Sequence, residues 1–206
     1  MNKKGRLIVI SAPSGAGKTT LVSTLLKTMP ELKLSISHTT RPIRPGEEDG
    51  IDYYFVSEQD FKKYLDARDF LEYAKVYNYY YGTSKVWVEE QLNKGADIIL
   101  EIDWQGARQI KAMFDDNAVF IYILPPSLEI LRDRLLKRAK DKPEVIEARF
   151  NKAKDDISHY TEFDYLVVND DLQIAIKQLI AIITSFNLTI NAQKTNLISL
   201  LQQLLD

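Results

Sequence analysis

Residues 6–21 read RLIVISAPSGAGKTTL, and this stretch decides the fold. Leu7, Ile8, Val9 and Ile10 run without polar alternation, which is the pattern of a strand buried on both faces of a parallel sheet. Gly15 and Gly17 then open a bend, and helical spacing follows over 18–28. Similar apolar runs recur as ADIILEI at 96–102, AVFIYIL at 118–124 and FDYLVV at 163–168. Segments of helical spacing separate them at 105–114, 127–138 and 171–186. The second of these opens on Ser127 as a cap and continues with apolar Leu128, Ile130, Leu131, Leu135 and Leu136. Buried strands alternating with helices predict an α/β fold built on a doubly wound parallel sheet.

Two stretches break that rhythm. Residues 35–95 are rich in turn residues, Thr, Tyr and Arg, with scattered apolar positions, as in a small inserted lobe. Residues 137–154 are irregular and lie within a cationic run: 132–154 carries nine Lys or Arg against four Asp or Glu, in a chain whose net charge is -2. The tail NLISLLQQLLD at 196–206 is amphipathic at helical spacing.

Bulk composition narrows the functions. A length of 206 residues suits one compact domain with inserted lobes, and 45% hydrophobic residues supply a normal core. The overall charge gives no electrostatic footprint for nucleic acid or acidic lipid. Without cysteine there are no disulfides, thiolate metal sites or thiol nucleophiles, and His38 and His159 alone argue against a multi-histidine zinc site. The basic start precedes an apolar run too short for a signal peptide, and no stretch reaches membrane-span length. The expectation is a cytoplasmic protein with neither membrane nor nucleic-acid partner; monomer and homo-oligomer stay open.

The opening stretch resembles the P-loop, G-x-x-x-x-G-K-[ST], with Ala12 where the strict pattern has its first glycine. Glycines let successive N–H groups turn around phosphate oxygens, and the helix N-terminus adds partial positive charge. The resemblance assigns Ala12, Pro13, Ser14, Gly15, Ala16, Gly17, Lys18, Thr19 and Thr20 to a nucleotide's phosphates, with Lys18 on the β/γ-phosphates and the Thr19 hydroxyl on Mg²⁺. A plain glycine turn before a helix would leave Lys18 and Thr19 without a structural need.

The inserted lobe offers the second substrate site. Arg41 and Arg44 share a proline-stiffened segment, and two guanidinium forks can clamp one phosphate. A hydroxyl from Tyr53 can complete the clamp. EYAKVYNYYYGTS carries Glu72, Tyr81 and Thr83, and ILEIDWQG ends a buried strand with Glu101 and Asp103, where sheet ligands sit. Taken in order, SAPSGAGKTT, S-x-TTRPIRPGE-x-x-G-x-DY-x-FVS, NYYYGTS, ILEIDWQGA and LPPS-x-E-x-LRDRLLKR resemble the guanylate kinase family. The resemblance spans essentially 5–185 and implies a domain over 5–186. Its core would be 5–34 and 96–186, its GMP-binding lobe 35–95 and its lid about 137–152, with a helical extension at 187–206.

What the family resemblance implies is transfer of the ATP γ-phosphoryl group to GMP, giving ADP and GDP with Mg²⁺, in purine nucleotide metabolism; acceptance of dGMP stays open. It puts Arg41, Arg44, Tyr53 and Tyr81 on the GMP phosphate and Ser37, Glu72 and Thr83 on guanine. Asp103 falls near the GMP and, through water, the metal. Arg138 and Arg149 are lid arginines approaching the ATP phosphates, and with Lys18 and Arg41 they form the catalytic set. The chemistry of the base agrees: guanine presents N1–H and a 2-amino group side by side, and one carboxylate accepts both. Adenine offers a bare acceptor there, so such a site can discriminate by about 10⁴-fold.

Two rival readings remain. Guanylate-kinase-like modules that only bind proteins usually carry a damaged P-loop, whereas Gly15, Gly17, Lys18 and Thr19 are intact here. An enzyme with another monophosphate as acceptor would not need Glu72. Of the remaining polar residues, His38 is read as a surface residue, Asn169 as a neighbour of adenine, Asp170 and Asp171 as a helix N-cap, and Glu101 as either a nucleotide contact or a support of the sheet end.

Overall fold

The computed structural model describes residues 4–114, 117–138 and 143–205. The opening stretch folds as β1 (Leu7–Ser11), buried along its whole length, then the glycine bend, then α1 (Lys18–Thr28). After β2 (Lys33–Leu34) the chain leaves the core for β3 (His38–Thr39), β4 (Tyr54–Phe55), α2 (Glu58–Ala67), β5 (Phe70–Val76) and β6 (Tyr79–Ser84). It returns through α3 (Lys85–Asn93), β7 (Ile98–Glu101), α4 (Trp104–Phe114), β8 (Ala118–Leu124), α5 (Leu128–Arg138) and α6 (Pro143–Ser158). A 3-10 turn at His159–Glu162 leads to β9 (Tyr165–Val168), α7 (Leu172–Asn187), α8 (Ile190–Asn196) and α9 (Ile198–Leu205). Asp171 caps α7 as expected, its carboxylate accepting from the amides of Gln173 and Ile174.

Among the described residues, a five-stranded parallel sheet runs in the order β2-β7-β1-β8-β9. Its central strands are apolar on both faces because both faces are covered. One face packs Ile8, Ile10 and Ile121 against Leu21 and Leu25 of α1 and Leu179 and Ile183 of α7. The other packs Leu7, Val9 and Leu100 against Val88 and Leu92 of α3 and Ile110 of α4. Full burial of each such side chain contributes about 1.5–3 kcal/mol. Thus α3, although it falls within 35–95, packs in the core, and the lobe's own sheet ends at Ser84.

That smaller sheet has the order β4-β3-β6-β5 and is mixed, with β3 and β4 parallel and the other pairs antiparallel. It meets the core where its edge strand β5 lies against α4. The Gln109 amide donates to the Tyr73 carbonyl (2.7 Å), and the Tyr73 amide donates back to Gln109 Oε1 (3.2 Å). Leu71 of β5 also enters the α4 side of the core.

The two ends of the domain are joined as well. The Arg6 guanidinium donates to the Phe186 carbonyl and lies over its ring, while the Arg6 amide donates to Asp97 (3.0 Å). Beyond this clasp α9 leaves Leu204 and Leu205 exposed.

In the five-stranded sheet β1 sits between β7 and β8, with Ile10 opposite Glu101 and Ser11 opposite Tyr122. The chain therefore turns outward on both sides of β1, and the crevice at the carboxyl ends of β1 and β7 is where open α/β sheets bind ligands.

Candidate active site

A cavity of about 210 Å³ opens at that crevice. Its floor is the glycine bend: Ala12, Pro13, Ser14, Gly15, Gly17, Lys18 and Thr19 all line it. Gly15 and Gly17 both have φ of 91°, a left-handed conformation that turns the backbone back on itself. Ala16 is fully buried beneath the bend, and Thr20 faces outward on α1.

Asn169 holds the bend from below. Its amide donates to the Ala16 carbonyl (2.7 Å), and a Cβ at position 17 would collide with it. Arg134 reinforces this, reaching the carbonyls of Ala16 (3.3 Å) and Asn169 (3.0 Å). The carboxamide expected beside adenine is thus engaged with the loop itself. Asn169→Ala is expected to lower stability by about 1–3 kcal/mol, since a buried acceptor loses its better donor. It should also loosen triphosphate binding; thermal unfolding and nucleotide titration check the two effects.

Lys18 donates to the Ile102 carbonyl (2.9 Å), which aims its ammonium across the cavity toward the end of β7. Burial lowers its pKa, and the nearby carboxylates of Glu101 and Asp103 oppose that shift. The Thr19 hydroxyl donates to Glu101 Oε1 (2.8 Å), so Glu101 faces the cavity. Asp103 lines the cavity and also caps α4, accepting from the Gly106 amide (3.1 Å) and the Gln105 side chain (2.9 Å).

The opposite wall comes from the lobe: Ser37, Tyr53, Glu72 and Tyr81. Antiparallel register places Glu72 directly across from Thr83, and the Thr83 hydroxyl donates to Glu72 Oε1 (2.5 Å). Glu72 is 3% exposed. Burial pushes its carboxyl up to about 7, against the pull of the Thr83 hydrogen bond. Burial also raises the Tyr53 phenol, so that hydroxyl stays a donor at neutral pH.

Other expected residues stand outside the lining. Thr83 lies behind Glu72. Arg41 is buried, paired with Glu47 (2.8 Å), and its guanidinium lies 5.3 Å from the Tyr53 ring, one layer behind the wall. Arg44 is exposed, its backbone amide donating to the same Glu47 carboxylate (2.8 Å). Arg149 is half-buried on α6, and the side chain of Arg138 lies outside the described residues, as do residues 139–142 of the expected lid.

Two residues that the sequence reading missed belong to the site. Glu47 organises both arginines. Asp156 of α6 lines the cavity, accepts from the Trp104 indole (3.2 Å) and has its pKa raised by burial. Linear pattern gives no means of choosing Asp156 over its neighbour Asp155. His38, read as a surface residue, is half-buried and packs among Tyr54, Tyr64 and Phe70 with ring centroids 4.9–5.5 Å away.

Comparison with known proteins places this geometry in context. The family model described as guanylate kinase matches residues 4–186. The chain is 51% identical to guanylate kinase of Coxiella burnetii over 203 residues, 98% of each chain. It is also 51% identical to guanylate kinase of Hahella chejuensis over 191 residues, 93% of this chain and 91% of that one. A crystal structure of guanylate kinase from Anaplasma phagocytophilum superimposes with a TM-score of 0.78 at 32% identity, covering 92% of this chain and 89% of the other.

Proposed function

Because the chain belongs to the guanylate kinase family and so phosphorylates GMP to GDP with ATP, we propose that both nucleotides meet in the cavity between the glycine bend and the lobe wall. The observation carrying this assignment is that Lys18 and Glu72 line the same cavity from opposite walls.

On the donor side, backbone amides of residues 14–19 and the N-terminus of α1 cradle the ATP phosphates, and Lys18 neutralises the transferred end. Thr19 and Glu101 pair a hydroxyl with a carboxylate, hard oxygen donors of the kind Mg²⁺ takes. Among the described residues no cluster of three or more His, Cys, Asp or Glu could hold a metal by itself. That donor set fits Mg²⁺ held jointly by the protein and the phosphates, with Asp103 in reach through water. When bound, the ion supplies further neutralisation of phosphate charge.

On the acceptor side, Glu72 accepts from guanine N1–H and the 2-amino group, while the hydroxyl of Ser37 faces O6 and N7. Thr83 meanwhile fixes the carboxylate's orientation. Tyr53 and Tyr81, with Arg41 and Arg44 behind and beside them, take the GMP phosphate. Glu47 keeps Arg41 oriented until that phosphate arrives. A GMP phosphate oxygen then bonds to the γ-phosphorus as its bond to ADP breaks, with Arg138 and Arg149 of the lid offsetting charge. Phosphoryl transfer depends on such alignment and neutralisation, and no general base is assigned.

Glu72 makes the reading testable by pH. A carboxyl near 7 is substantially protonated just below neutrality, and only its ionised form accepts both guanine donors. GMP affinity is expected to weaken as pH falls below about 7, approaching tenfold per pH unit. Calorimetric titration at pH 6 and 8 checks this; ATP affinity should lack the trend. A panel of nucleoside monophosphates with MgATP tests the base assignment, and equal turnover of AMP and GMP would refute it. Among the described residues no helix is long and apolar enough to cross a membrane.

A further inference from the structure

Glu72 is held in place by the core as well as by its own sheet. Gly106, in the first turn of α4, is buried and has ordinary helical backbone, without the positive φ that requires glycine elsewhere in the chain. Glycine is a poor helix residue, so backbone preference does not account for it. Space does. A Cβ at position 106 would strike Glu72 Oε2 and lie 2.9 Å from the Glu72 carboxyl carbon, closer than real Cβ contacts come.

Nor can Glu72 retreat. Its other oxygen is tied to Thr83 at 2.5 Å, and the next residue of β5, Tyr73, is clasped to α4 by both hydrogen bonds of Gln109. On the helix side, Ile102 Cδ1 already stands 3.4 Å from the Cβ position. The Gly106 amide also donates to Asp103, so one turn of α4 touches both acidic residues of the acceptor site.

We infer that Gly106 and Gln109 form a seat on α4 that positions the Glu72 carboxylate, so base selectivity is set by the core helix as much as by the lobe. The inference rests on the assignment of Glu72 to guanine. Gly106 and Gln109 are positioning residues; neither touches substrate in this scheme.

Three variants test it. Gly106→Ala should raise KM for GMP on the order of tenfold or more, since misplacement of one polar group by about 1 Å has effects of that size. The GMP-over-AMP ratio of kcat/KM should fall with it. KM for ATP should stay within about twofold, while thermal stability drops, because the added Cβ overpacks a carboxylate that cannot move away. Unchanged GMP kinetics, or equal losses toward both substrates, would overturn the seat. Gln109→Ala removes the clasp without adding an atom and should shift KM for GMP in the same direction; if Gly106→Ala does not fold, this variant decides alone. Glu72→Gln separates the layers. If it leaves selectivity intact, the guanine assignment fails; if it destroys selectivity while the α4 variants do not, only the seat fails.

Discussion

Lys18→Ala is expected to lower kcat/KM for GMP phosphorylation on the order of 10³-fold, the scale for removing a preorganised charge from a site that stabilises developing negative charge. The side chain is already aimed, with its ammonium on the Ile102 carbonyl (2.9 Å) at the end of β7. Glu72, Glu101, Asp103 and Asp156 share the cavity with it, so Lys18 is the cation that its lining contributes among the described residues. Burial works against the charged amine and nearby carboxylates sustain it; a bound phosphate would do so more strongly. Removing the side chain leaves the loop backbone and its Asn169 support in place, so unfolding temperature should move little. A coupled ADP assay with thermal unfolding checks both halves. More than a tenth of wild-type activity in the variant would contradict the assignment of Lys18.

Glu72→Gln is expected to cut GMP-over-AMP selectivity by about 10²- to 10⁴-fold, because the amide presents one acceptor where guanine offers two donors. ATP affinity should hardly change. The same substitution has a stability signature. The carboxyl's folded pKa of about 7 lies above the usual value of 4.5, so between those values the folded protein binds a proton that the unfolded chain has lost. Stability of the ligand-free protein should therefore decline as pH rises from about 4.5 through about 7 and stay lowered above it. The difference amounts to about 3 kcal/mol at full ionisation. Glutamine has no such titration, so the variant should lose this slope and be the more stable protein at pH 8. Urea unfolding at pH 5 and pH 8 measures it; parallel pH slopes in the two proteins would show that Glu72 is not the titrating group.

The sheet was legible in the sequence because a parallel strand covered on both faces must be apolar at every position, and Leu7–Ser11 and Ala118–Leu124 are nearly so. The phosphate loop was legible because the backbone geometry demands glycine at Gly15 and Gly17. The lobe was harder. Its strands β3 and β4 are two residues each, too short for alternation to register, and its end could not be read because α3 carries little amphipathic contrast. Glu72 and Thr83 were both named from the family resemblance and base chemistry, but their mutual hydrogen bond depends on strand register, with an irregularity between Phe70 and Glu72. Asp156 and Gly106 act through contacts across 52 and 34 positions, to Trp104 and Glu72 respectively, and no local pattern encodes such contacts.

The clasp between Arg6 and Phe186 bears on how the protein is born. Of the five strands of the main sheet among the described residues, the middle one is translated before the others, and its partners Ile98–Glu101 and Ala118–Leu124 emerge only after the whole lobe has been translated. Arg6 waits longer still, until synthesis passes Phe186. That strand is thus paired late, and a nascent chain stalled before its partners emerge would carry an unfinished barb of Leu, Ile and Val for a chaperone to shield.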